Sequence, residues 1–80
     1  MKILFFARLR DSIGCAETSL SLPGPVAVEQ AVKMLLEQHP DWADAFNTAV
    51  LVAINQNMAD MDATVGNDDE LAFFPPVTGG

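Results

Sequence analysis

Val28-Glu29-Gln30-Ala31-Val32-Lys33-Met34-Leu35-Leu36 sets Val28, Ala31, Val32, Leu35 and Leu36 at i, i+3, i+4, i+7 and i+8. That spacing draws one apolar stripe down an α-helix, and the stripe needs a surface to cover. Ala27, at the N-cap position, has no side-chain acceptor for the first helical N–H groups. Glu29 in the first turn and Lys33 further along suit the helix dipole. Pro40 ends the helix near His39, whose ring can reach the terminal carbonyls, and Asp41 is placed to cap a short second helix through Trp42 to Phe46. On the N-terminal side the period changes to two. From Lys2 to Arg8, Ile3, Phe5 and Ala7 alternate with Leu4, Phe6 and Arg8, as in a strand with one buried face. The face that carries Arg8 looks to solvent, which leaves Leu4 and Phe6 as apolar residues on the polar side. Arg10 to Ile13 reads as a helical turn closed by Gly14. Glu17 to Leu22 alternates again, antiparallel to the first strand, until Pro23-Gly24-Pro25 stops it. Beyond the helix, Ala49 to Asn55 reads as a central strand, and Asn55-Gln56-Asn57 as a turn into a short strand around Met58. Glu70 to Phe74 is the last strand, with Leu71 and Phe73 inward and Ala72 and Phe74 outward, before Pro75-Pro76 forbids further ladder bonds. The order ββα, short helix, βββ predicts an α+β fold in which one main helix packs on one face of a mixed sheet. In 80 residues the β-grasp is the leading arrangement of that kind.

The composition bounds the function. Half the residues are hydrophobic and 19% are charged, so a packed domain is expected rather than a disordered chain. The single Cys15 excludes an internal disulfide and falls short of the four ligands of an iron–sulfur cluster, and a reducing cytoplasm is the expected setting. The apolar run Ile3 to Ala7 is too short for a signal peptide or a membrane span. All four bases (Lys2, Arg8, Arg10, Lys33) lie in residues 1–33, and residues 34–80 carry eight acids and no base. A net charge of −7 repels nucleic acid and anionic membrane, and a basic protein is its natural complement. The acidic cluster Asp60, Asp62, Asp68, Asp69 and Glu70 fails as a calcium loop, because Val65 stands where glycine is required and Leu71 where the bidentate glutamate belongs. It reads as a solvated face. Cys15, with no partner cysteine and no neighbouring activator, reads as a quiet small residue and not as a sulfur carrier, and a lone His39 cannot make a zinc site, so no metal is expected.

The sharpest feature is the tail, residues 75–80, after a domain of residues 1–74. Pro75 and Pro76 favour extended polyproline geometry of roughly 3.1 Å per residue, which gives a reach of about 19 Å. Val77 and Thr78 lead on to Gly79 and Gly80, whose missing Cβ atoms let a backbone thread a narrow channel. A carboxylate is a poor electrophile and glycine has no side-chain chemistry, so reaction at Gly80 has to begin with activation, most simply as an acyl-adenylate. The five glycines form no phosphate-cradling motif, so this chain binds no nucleotide of its own and the ATP belongs to a partner.

Phe73-Phe74-Pro75-Pro76-Val77-Thr78-Gly79-Gly80 resembles the C-terminal signature of the small, sulfur-carrier subunits of molybdopterin synthase. The resemblance extends to Leu4-Phe5-Phe6-Ala7-Arg8, to Val28-Glu29 and to Val52-Ala53-Ile54-Asn55-Gln56, and so covers essentially the whole chain. It departs at Asp68-Asp69-Glu70, where that family usually has Gly-Asp-Glu. The family resemblance implies a ubiquitin-like β-grasp and a terminal Gly80 adenylated with ATP by a ubiquitin-activating-like adenylyltransferase. A sulfurtransferase then supplies sulfur to make the thiocarboxylate. The large synthase subunit receives the tail and passes the sulfur to cyclic pyranopterin monophosphate, forming the molybdopterin dithiolene in molybdenum cofactor biosynthesis. It also implies a heterotetramer, and docking of the adenylating enzyme and large subunit through Phe6, Met58 and Phe74. Clustered exposed aromatics independently suggest an interface. Two alternatives stay open: a carrier for thiamin thiazole or another sulfur-requiring pathway, and a ubiquitin-like modifier or interaction module joined through Gly80.

Overall fold

The computed structural model describes residues 1–47 and 49–76. Strands β1 (Lys2–Phe5), β2 (Glu17–Ser19), β4 (Leu51–Ile54), β5 (Asn57–Ala59) and β7 (Glu70–Phe74) form one sheet in the order β2-β1-β7-β4-β5. A two-stranded sheet pairs β3 (Val26–Ala27) with β6 (Thr64–Val65), and the helices are α1 (Ala7–Ile13) and α2 (Val28–Gln38). In the main sheet β1 and β7 run parallel, while β1–β2, β7–β4 and β4–β5 are antiparallel. This is the expected α+β, β-grasp arrangement. The structure lengthens its element list: β3 and β6 add to the sequence reading, and the helical turn read at Arg10 to Ile13 grows into α1.

One face of the sheet buries Ile3 and Phe5 from β1, Leu71 and Phe73 from β7 and Val52 from β4, and α2 contributes the buried Val28, Ala31 and Leu35 to the same core. Aromatic rings fill its centre. Phe5 stacks beside Phe73 at 6.3 Å and meets the edge of Trp42 at 5.5 Å, while Phe46 meets Phe73 edge-on at 5.1 Å. Such pairs contribute beyond their buried area, by about 0.5–1.5 kcal/mol each.

Several boundaries move, each for a physical reason. The first strand ends at Phe5 and not Arg8, because Ala7 takes a left-handed φ of 54° and turns the chain directly into α1. Ala7 is therefore exposed, not inward, and the helix starts there, three residues before Arg10. Gly14 closes it in the left-handed conformation at φ 89°, as its position predicts. The second strand stops at Ser19, yet Leu20 and Leu22 stay buried. Asn67 replaces a neighbouring strand for Leu22: its side-chain carbonyl accepts from the Leu22 N–H at 2.8 Å, and its amide donates to the Leu22 carbonyl at 2.9 Å. The poor cap at Ala27 is likewise answered from outside the helix, since Val28 N–H donates to the Ala63 carbonyl and Glu29 N–H to that of Met61, both at 2.9 Å. In place of a helix capped by Asp41 there is a 3-10 turn, Pro40–Trp42. The His39 ring lies flat on Trp42 at 3.8 Å instead of reaching carbonyls. The centre of the sheet is β7; β4 lies between β7 and β5.

Removing the Asn67 side chain (N67A) leaves two polar groups of Leu22 without their partners. A loss of about 1–2 kcal/mol in urea denaturation is expected. Phe73→Ala, which empties a fully buried site, is expected to cost about 3–5 kcal/mol and to leave a domain this small largely unfolded by circular dichroism.

Candidate functional site

The opposite face of the sheet is apolar as well. Register places Leu4 beside Ala72, Ala72 beside Ala53 and Ala53 beside Met58, so one row of side chains crosses four strands. The two alanines in the middle are short, and the larger residues around them form the walls of a shallow depression of about 350 Å³ lined in part by Phe6, Phe74 and Met58. Phe6 and Phe74 lie ring to ring, centroids 5.7 Å apart. Phe6 is 43% exposed and Met58 64%, while Phe74 is half-buried. Leu51, opposite Phe74 in the ladder, adds another exposed apolar side chain at the margin. The three residues singled out in the sequence thus share one surface. Leu4 was already legible as an apolar residue on the wrong side of its strand. Ala53 and Ala72 were not identified as part of this surface, since small residues carry no signal until the register is known.

This surface leads to the tail through β7. Pro75 and Pro76 follow Phe74 and are half-buried, lining a groove with Leu9, Ala45 and Val50 on the other side of the strand end. Val77, Thr78, Gly79 and Gly80 lie outside the described residues. Cys15 is half-buried and packs against the core.

Part of the acidic cluster has a structural task. Asp69 accepts from the Asn55 side-chain amide at 2.9 Å and from the Gly66 N–H at 2.7 Å, while the Asn55 side-chain oxygen Oδ1 accepts from the Glu70 N–H at 2.9 Å. This closes the turn before β7 against the β4–β5 turn, where Asn55 and Gln56 hold left-handed φ angles of 51° and 71°. The side-chain bond from Asn55 and the backbone bond from Gly66 favour the ionised form and lower the Asp69 pKa from its ordinary 3.8. Among the described residues no helix is long and apolar enough to cross a membrane.

With that geometry in view, relationship can be judged over the whole chain, and residues 3–80 match the model of the ThiS family. The chain belongs to the ThiS family. It is 44% identical to the molybdopterin synthase sulfur carrier subunit of Haemophilus influenzae, covering 100% of this chain and 99% of that one. It is 38% identical to the Escherichia coli protein of the same description, with the same coverage. Among solved structures, small archaeal modifier protein 1 of Haloferax volcanii superimposes with a TM-score of 0.81 at 26% identity, over 96% of this chain and 97% of that one.

A group whose folded pKa is depressed stabilises the fold above its ordinary pKa, and that contribution is lost as pH falls through the folded value. The stability gap between the wild type and D69A, followed by thermal melts, is therefore expected to be full at neutral pH and to narrow on acidification below 3.8.

Proposed function

We propose that this chain is the sulfur-carrier subunit of molybdopterin synthase, acting in molybdenum cofactor biosynthesis. The observation that carries the reading is the 44% identity to a curated sulfur carrier over the whole length of both chains. Residues 1–74 act as the docking domain and residues 75–80 as the tail. A partner enzyme joins the Gly80 carboxylate to AMP from ATP, with release of pyrophosphate. The persulfide of a sulfurtransferase displaces AMP to give an acyl disulfide, and a thiol reductant cleaves its S–S bond to leave the thiocarboxylate. The large subunit then takes up the tail, the sulfur passes to cyclic pyranopterin monophosphate, and water returns Gly80 to a carboxylate. The chain supplies no catalytic side chain to these steps. Its task is to be recognised and to present one carbonyl carbon, in the cytoplasm and within a heterotetramer built on a dimeric large subunit.

The apolar outer face supports this assignment of labour. Phe6, Met58 and Phe74 crowd a depression on the strand that leads directly into the tail, so a protein docked there is already beside Pro75 and Pro76. Exposed aromatic anchors of this kind dominate interface energetics. A second reading is favoured by the likeness to small archaeal modifier protein 1: attachment of Gly80 to lysines, which begins with the same adenylate.

Intact-mass analysis after incubation with ATP, the adenylating enzyme and a sulfur donor is expected to show an oxygen-to-sulfur exchange localised to Gly80. An unchanged mass, or synthase activity that survives deletion of Gly80, sinks the proposal, and lysine-linked adducts in place of the exchange favour the modifier. Phe74→Glu is expected to keep the fold and to weaken binding to both the adenylating enzyme and the large subunit by at least tenfold, measured by titration calorimetry; wild-type affinity contradicts the docking face.

A further inference from the structure

The groove behind the tail carries one base, Arg8, and no acid. Its floor is apolar, from Leu9 of α1, Ala45 and Val50; Pro75 and Pro76 form one side, and Arg8 and Ser12 stand on the rim around about 260 Å³ of space. Arg8 is exposed, and among the described residues no carboxylate lies within ion-pair distance of it; the ion pair found there joins Lys2 to Glu17. The protein as a whole carries a charge of −7, and every base it has lies in the first 33 residues. A partner suited to that field is basic. A uniformly basic partner surface, though, would set like charge against Arg8 beside the very residues from which the tail departs.

We propose that the Arg8 groove is a second docking subsite, occupied by a segment of the tail-receiving protein that places an aliphatic side chain on Leu9, Ala45 and Val50 and a carboxylate against the Arg8 guanidinium. The proposal rests on the reading of the chain as a tail-presenting carrier. Its physical content is orientation. The apolar outer face supplies affinity, but a broad apolar patch tolerates rotation. One cation in a negative field is matched by one anion in a positive field at a single angle of approach, and a partner rotated about the outer face puts like charges together. The guanidinium suits the task, because its planar fork can hold a carboxylate through two parallel hydrogen bonds, a geometry a lysine does not offer.

The test is binding of the full-length carrier to the purified large subunit of molybdopterin synthase by titration calorimetry, at low and at moderate salt. Arg8→Glu is expected to weaken binding about tenfold or more at low salt, with the deficit shrinking as salt is added, and Arg8→Gln to fall between that and the wild type. Arg10→Glu makes the same change in net charge beside Asp11 and Cys15, in a different surface hollow, and is expected to have much the smaller effect. Restoration of R8E binding by an Asp→Lys or Glu→Lys change in the large subunit identifies the partner carboxylate. Equal losses for R8E and R10E reduce the effect to overall charge and overturn the proposal. So does unchanged or tighter binding by R8E, the result expected if Arg8 instead holds the chain's own terminal carboxylate. If R8E binds normally while F74E is weak, only the groove is refuted. If both bind normally, the docking reading beneath it fails too.

Discussion

Everything in this domain is set out from the parallel pairing of β1 with β7. The register joins Phe5 to Phe73, and both rings go to the core, where Trp42 and Phe46 close over them. The residue after each, Phe6 in extended backbone just past β1 and Phe74 on β7, points the other way, and those rings meet on the outer face. A single alignment of two chain segments about 70 residues apart in sequence thus builds the aromatic core and the aromatic surface together. A slip of one residue in β7 would exchange the two, which ties the integrity of the outer aromatic face to that of the fold.

Around that pairing, much of the chain is held by polar groups that stand in for regular structure. The first turn of α2 draws its acceptors from Met61 and Ala63, Leu22 is gripped at both its N–H and its carbonyl by Asn67, and Asp69 with Asn55 joins the two turns that flank β4 and β7. Each bond bridges elements far apart in sequence. A domain of 80 residues has a modest core, and connections of this kind fix its loops where apolar burial is thin. The Lys2–Glu17 ion pair, 3.8 Å long between two well-exposed side chains, adds little by comparison.

What was legible in the sequence follows from which signals are local. The stripe on α2 and the alternation in Glu70–Phe74 are periodic over enough residues to stand without context, and both were read with nearly the observed limits. The ends of the first two strands were misplaced because alternation continues through Ala7 and Leu22 after ladder pairing has stopped; only the left-handed turn at Ala7 and the reach of Asn67 explain where it does stop. The pair β3–β6 has two residues a side, too few for any period to register. On the outer apolar face, large exposed side chains gave themselves away, while Ala53 and Ala72 acquired meaning only through their cross-strand neighbours. The Arg8 groove drew no notice in the sequence because its floor comes from α1 and from the segment between α2 and β4, and its wall from the chain after β7.

The central place of β7 has a mechanical side. This strand is bonded to β1 along one edge and to β4 along the other, and three of its five residues are buried. A pull applied to Phe74 along the strand loads both ladders in shear, so many hydrogen bonds share the tension at once and none can be peeled off singly. Tension on the end of β7 is therefore spread along two ladders at once, and the rest of the sheet serves as its anchor.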